Sequence, residues 1–121
     1  WIGQKVKSKF KPDKRCELLL ELSKEFPRKK HLEFALEVEK ITLDKKPNLI
    51  LNVDGMTAVL LLDMMKDIGM SDTEIQKYME AGIFNGFFIL ARSIWFIGHF
   101  IDQKLLNEPL YRSEWDDILY V

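Results

Sequence analysis

The sequence predicts an all-α fold: apolar residues recur at helical spacing in successive segments, those segments start and stop at capping or breaking residues, and no alternating strand series, internal repeat or low-complexity tract interrupts them. Pro12-Asp13 opens the first helix, Asp13 to Phe26, in which Cys16, Leu19, Leu20 and Leu22 lie among Lys and Glu until Pro27 stops it. The second covers Lys30 to Leu43, where Leu32, Phe34, Ala35, Leu36, Val38 and Ile41 alternate with Glu33, Glu37, Glu39 and Lys40. Lys45-Lys46-Pro47 closes it. The short apolar run Asn48 to Val53 is β-branched at Ile50 and Val53, and periodicity leaves it as a strand, extended chain or the frayed entry to a helix.

Asp54-Gly55 by itself has the character of a turn or cap. From Met56 to Ile68 a third helix is expected, ended by Gly69. Ser71 followed by Glu74 has the spacing of a capping box and predicts a short fourth helix to about Glu80. After Gly82 comes a long apolar helix, Ile83 to about Leu106. The remaining residues, 107–121, carry Pro109, Tyr111, Trp115 and Tyr120 and predict an ordered wrapping segment.

At 121 residues, 47% hydrophobic and 31% charged, the chain is sized for one globular domain. Its 18 Lys plus Arg against 19 Asp plus Glu leave a net charge of -1, so no general basic field would draw in nucleic acid or an anionic membrane, and any anion site must be local. A single cysteine, Cys16, forms no internal disulfide, which fits a reducing, cytoplasmic setting; in an apolar helical run it is expected to be a packed structural thiol. Ile83 to Ile101 is long enough to be tested as a membrane span, yet it contains Asn85, Arg92, Ser93 and His99, and a central Arg alone costs roughly 2.5–3.5 kcal/mol on insertion. Burial inside protein is therefore expected. The chain starts at Trp1 in a glycine-containing loop and has the character of a fragment of a larger domain.

No nucleophile elbow, Cys-x-x-Cys, His-Glu-x-x-His or P-loop is present to support hydrolase, redox, zinc or nucleotide chemistry. Asn85, Arg92 and His99 lie seven apart, on one narrow stripe of the apolar helix. The residues alone allow Arg92 to be an anion ligand or a structural ion-pair partner, for instance of Asp102. On the same terms Arg15 and Arg112 would be solvated, Lys45 and Lys46 would face the dipole of a helix C-terminus, His99 would be a hydrogen-bonded core residue, and His31 would be exposed.

Two stretches, Ala35-Leu36-Glu37-Val38-Glu39-Lys40-Ile41 and Lys45-Lys46-Pro47-Asn48-Leu49-Ile50-Leu51-Asn52-Val53-Asp54-Gly55, resemble those of ATP-citrate lyase. So, in the same order, do Arg92-Ser93, Phe96-Ile97-Gly98-His99 with Asp102-Gln103-Lys104, and Leu110-Tyr111-Arg112 with Trp115-Asp116-Asp117. The resemblance covers nearly the whole of 1–121. It implies the citrate synthase-like helical fold, a homo-oligomer dimerising through helices with its active site shared between subunits, and cleavage of citryl-CoA to acetyl-CoA and oxaloacetate. Citrate and coenzyme A would be ligands, and ATP and Mg would belong to other domains of the parent enzyme.

By that resemblance Asp54 matches the catalytic carboxylate that exchanges a proton with the acetyl methyl; such a group works best when partial desolvation raises its pKa. Arg15, Arg92 and Arg112 match arginines that hold carboxylates, a task suited to the planar guanidinium fork, and the residue matching Arg112 reaches the partner subunit's site. Lys45 and Lys46 would meet the phosphates of coenzyme A. One departure stands out. The family loop reads Gly-His-Arg-Val-Lys-Ser, and here it is Gly3-Gln4-Lys5-Val6-Lys7-Ser8. Gln4 replaces the histidine that serves the citryl hydroxyl, and a carboxamide does not titrate near neutral pH. A second family histidine lies upstream of these residues. The alternative reading is accordingly a non-catalytic oligomerisation module, for which Gln4 and the long apolar helix speak.

Overall fold

A computed structural model describes residues 1–5 and 7–109. Five helices follow in order: α1 (Lys14–Leu22), α2 (Lys30–Leu43), α3 (Val53–Asp67), α4 (Asp72–Glu80) and α5 (Ile83–Leu106). Among the described residues there is no extended ladder, only two isolated antiparallel bridges, Ile2 with Leu51 and Ser8 with Lys11. The all-α expectation holds.

Local chemistry sets the boundaries. Asp13 caps α1 by accepting from the Arg15 N–H, and the helix predicted to Phe26 gives way at Ser23–Glu25 to a 3-10 turn, where the Ser23 hydroxyl donates to the Leu20 carbonyl at 2.6 Å. α3 starts three residues before the predicted Met56, because Asn52 caps it by accepting from the Gly55 N–H at 2.9 Å. It ends at Gly69, whose φ of 88° suits glycine. The capping box forms as predicted: Ser71 N–H and hydroxyl both donate to Glu74, and Glu74 N–H donates back to Ser71 Oγ.

The chain divides into two compact units, Trp1–Tyr78 and Met79–Val121. In the first, Leu32 and Ala35 of α2 pack with Leu51 and with Met56 and Leu60 of α3, and Ile2, Cys16, Leu19, Phe26, Leu36 and Val59 close around them. Burying each large apolar side chain there contributes about 2 kcal/mol. α2 lacks a capping side chain of its own at Lys29. Asp63 of α3 substitutes for it, accepting from the His31 N–H at 3.0 Å, the Leu32 N–H at 3.0 Å and the His31 Nδ1 at 2.7 Å. His31 is thus half-buried and paired, not exposed as the sequence suggested. One turn on, Asp67 holds Arg28, with Nε 3.5 Å from Oδ1.

In the second unit α5 occupies the predicted range, opened at Gly82 and closed at Asn107, both with positive φ. None of its residues is buried among the described residues, so the burial expected for this helix is not seen there. By length and composition alone it is also long and apolar enough to cross a membrane. The expected wrapping segment, including Tyr111, Arg112, Trp115 and Tyr120, lies outside the described residues beyond 109.

Candidate active site

The first unit gathers Gln4, Arg15 and Asp54 around the extended segment 48–52. That segment leaves α2 and enters α3, and side chains and backbone from all sides satisfy its polar groups. On one edge, Gly3 N–H donates to the Ile50 carbonyl at 2.8 Å, Gln4 N–H to the Asn48 carbonyl at 3.0 Å, and Asn52 N–H to the Trp1 carbonyl at 3.1 Å. On the other, Leu51 N–H donates to Glu39 at 2.6 Å, the Thr42 hydroxyl donates to the Leu49 carbonyl at 2.7 Å, and the Cys16 thiol lies 3.5 Å from the Leu51 carbonyl. The run that periodicity left open is extended chain.

Gly55 makes the crossing possible. A Cβ placed there would lie 2.6 Å from the Trp1 carbonyl oxygen and 2.8 Å from Leu51 Cδ1, so only glycine admits the N-terminal segment this close to the first turn of α3. Asp54 is the second helical residue of that turn, where the unpaired N–H groups and the helix dipole favour a carboxylate. It is exposed, so the desolvation expected of a catalytic acid is not supplied by the described residues of the first unit.

Arg15 sits in the first turn of α1. Its guanidinium meets the Asp13 carboxylate side-on, Nε to Oδ1 at 3.0 Å and Nη2 to Oδ2 at 2.7 Å, and Asp13 is buried at 1% exposure. That hydrogen-bonded pair holds the Asp13 pKa below its ordinary 3.8, outweighing the burial that pushes it up. Arg15 is therefore oriented and half-exposed, unlike the freely solvated side chain that its sequence context suggested. Between α1 and α3 lies Cys16, whose thiol is pushed up to about 12, first by burial and then by the charge of Asp13, with smaller contributions from Glu39 and Asp54. Such a thiol is inert, as expected for a structural cysteine.

Lys45 and Lys46 are exposed in the turn after α2, their N–H groups both donating to the Thr42 carbonyl. The loop through Lys5, Lys7, Lys9 and Lys11 returns beside them, since Lys9 N–H donates to the Pro47 carbonyl at 2.9 Å. A local cationic edge results on a nearly neutral protein. Underneath, Leu20, Leu36, Leu43, Ile50 and Met56 line an apolar pocket of about 250 Å³ whose rim carries Ser8, Lys9 and Glu39.

The other predicted ligands belong to the second unit or lie outside the described residues. Arg92 is exposed on α5 in the second unit, in a notch with Ile89, Ser93, Phe96 and Ile97, and among the described residues it forms no ion pair with Asp102. His99 stacks on Trp95, ring centroids 5.1 Å apart, and so is not the buried core histidine expected. Arg112 lies outside the described residues. Asn48 and Asn52 carry no local signal of their roles in the sequence, and Asp13 and Gly55 are legible there only as a helix start and a turn. No cluster of metal-ligating side chains occurs among the described residues.

Comparison with known proteins places these residues in context. No protein-family model matches the chain. It is 51% identical over 122 residues to the ATP-citrate synthase of Mus musculus and 52% identical over 125 residues to a probable ATP-citrate synthase of Caenorhabditis elegans, in each case across 99% of this chain and 11% of the relative. A probable ATP-citrate synthase subunit 1 of Schizosaccharomyces pombe is 49% identical, with 20% of its length covered. The chain thus spans between about a tenth and a fifth of these relatives. Its fold superposes with TM-score 0.79 and 46% identity on an ATP citrate lyase from Methanothrix soehngenii in complex with citrate and coenzyme A, covering 99% of this chain and 20% of that one. An aspartate-to-alanine mutant of the Methanosaeta concilii ATP citrate lyase, in complex with (3S)-citryl-CoA, matches with TM-score 0.77.

Proposed function

We propose that this chain, which matches a segment of the ATP-citrate synthases, contributes to the site that cleaves citryl-CoA into acetyl-CoA and oxaloacetate. The observation carrying the proposal is that the chain is matched end to end by a lyase solved with citryl-CoA, with Arg15 in the first turn of α1, Asp54 in the first turn of α3 and Gln4 on the loop bonded to Asn48 of the segment that enters α3. In the reaction the tertiary hydroxyl of citryl-CoA gives up its proton to water or to a base elsewhere in the assembled site, Gln4 being unable to take it, and its oxygen becomes the ketone of oxaloacetate. The electrons of the broken carbon–carbon bond pass to the thioester enolate, and Asp54 delivers the proton that converts the enolate methylene to a methyl group.

Arg15, preset by Asp13, offers its outward guanidinium edge to a carboxylate of the oxaloacetate half, with Arg92 and Arg112 as the further cations of the assembled site. The edge formed by Lys45, Lys46 and the neighbouring loop lysines suits the phosphates of coenzyme A. Full assembly, as a homo-oligomer in the cytoplasm, would cover α5 and desolvate Asp54; the polar stripe of Asn85, Arg92 and His99 favours a protein covering over lipid. ATP and Mg belong to other domains of the parent enzyme.

Gln4 supports a second reading, a non-catalytic oligomerisation module. A carboxamide orients the citryl hydroxyl but does not accept its proton, and loss of a general base costs on the order of 10² to 10⁴ in rate. Oxaloacetate release from citryl-CoA by the full-length protein, compared with its Gln4→His and Asp54→Ala variants, separates the two. Turnover that Asp54→Ala abolishes supports the lyase; activity only after Gln4→His assigns this copy to assembly.

A further inference from the structure

The lyase reading requires residue 4 and Asp54 to be held at a fixed spacing, although they are far apart in the sequence. Asn52 touches both neighbourhoods. Its Nδ2 donates to the Gly3 carbonyl at 3.3 Å, and its Oδ1 accepts from the Gly55 N–H at 2.9 Å, capping the helical turn that carries Asp54. Asn48 takes the next carbonyl along: its Nδ2 donates to the Gln4 carbonyl at 3.0 Å, while its own carbonyl accepts from the Gln4 N–H at 3.0 Å. The two carboxamides thus grip consecutive carbonyls of the loop, and Gly55 keeps the approach clear of a Cβ.

From this geometry we infer that Asn52, assisted by Asn48, is a positioning residue that sets the distance between the hydroxyl-side group at residue 4 and the proton donor Asp54. The catalytic consequence rests on the lyase reading; the structural one rests on the hydrogen bonds alone. A carboxamide is suited to the task because it donates to one segment and accepts from the other through the same planar group. Aspartate at this position preserves the helix cap, for which it ranks with asparagine, and the side-chain volume, but it loses the donor and faces the Gly3 carbonyl with an oxygen.

That difference supplies the test. In the full-length protein carrying Gln4→His, citryl-CoA cleavage is measured with and without Asn52→Asp, alongside amide hydrogen exchange at Gly3 and Gln4. A displacement of order 1 Å is expected to lower kcat about 100-fold with KM unchanged, because orientation is lost while substrate binding is not. Exchange at Gly3 and Gln4 should accelerate about fivefold, the worth of one neutral hydrogen bond, with Leu32 and Leu60 unaffected. Asn48→Asp should act in the same direction and more weakly. An unchanged kcat overturns the inference while leaving the lyase reading intact, as does a loss that appears equally in the thermal midpoint. If neither the native protein nor its Gln4→His variant turns over, the lyase reading fails by itself; the exchange then decides, acceleration supporting the positioning role and unchanged rates removing it.

Discussion

The helix pair α2–α3 and the long helix α5 are both rich in apolar residues, yet they treat them in opposite ways. Leu32, Ala35, Met56 and Leu60 are buried by their own unit, at 0–4% exposure, while Trp95, Phe96 and Ile97 of α5 remain more than half exposed. The polar groups follow the same division. Asp63 and Asp67 of α3 reach across to hold Arg28, His31 and Leu32 at the start of α2, while α5 is served at its ends by residues of positive φ and along its length by local contacts such as Ser93 Oγ to the Ile89 carbonyl. The first region carries its own folding instructions. The second leaves its apolar side chains uncovered among the described residues.

Substitutions sharpen this contrast in descending order of effect. Asp63→Ala should be the most damaging, by about 4 kcal/mol in a urea titration followed by circular dichroism, because it takes the acceptor from the buried Leu32 N–H, the His31 N–H and the half-buried His31 imidazole together. A loss below about 1 kcal/mol would show that α2 does not depend on α3 for its start. Gly55→Ala should cost about 2 kcal/mol in the same titration by forcing Trp1 off α3, and Trp1 fluorescence should report the displacement.

Acid should act on Asp13. Its pKa is lowered in the folded state, so its contribution is complete above the unfolded value of 3.8 and fades as pH falls from there through the folded value. Asp13→Asn should therefore flatten the acid limb of stability and replace the charged acceptor beside Arg15 with a neutral one; superimposable acid limbs would contradict the assignment. At the small end, Phe96→Ser on α5 should shift the unfolding midpoint of this chain by less than about 0.5 kcal/mol, since the side chain is already 55% exposed. A large loss there would mean that α5 is packed after all.

Legibility in the sequence follows the same line. α2 and α5 appear over their observed ranges because helical periodicity and nearby breakers are local signals, and the Ser71–Glu74 box is local by construction. The entry to α3 was displaced because Asp54-Gly55 has turn character, and the deciding feature was Asn52, an ordinary-looking asparagine inside an apolar run. His31 and Asp63 escaped for a stronger reason: the cap of α2 is supplied from α3, and no spacing rule within one helix encodes it. Of the candidate site, Asp54 and Arg15 came from resemblance and their surroundings from coordinates. The asparagine clamp and the glycine crossing are long-range contacts that composition and periodicity do not carry.

The segment from Asn48 to Asn52 also has a meaning as a length. It is pinned at one end to the lysine-bearing turn and at the other to the cap of α3, and its backbone is matched edge by edge to Gly3, Gln4, Glu39 and Thr42. It works as a ruler between the place proposed for phosphates and the place proposed for proton transfer. One residue more or fewer would move those marks by about 3.3 Å and turn the intervening side chains to the opposite face. Side chains along it are open to exchange within limits of size, but its residue count is not, and in this stretch insertions and deletions should be the rarest form of tolerated change.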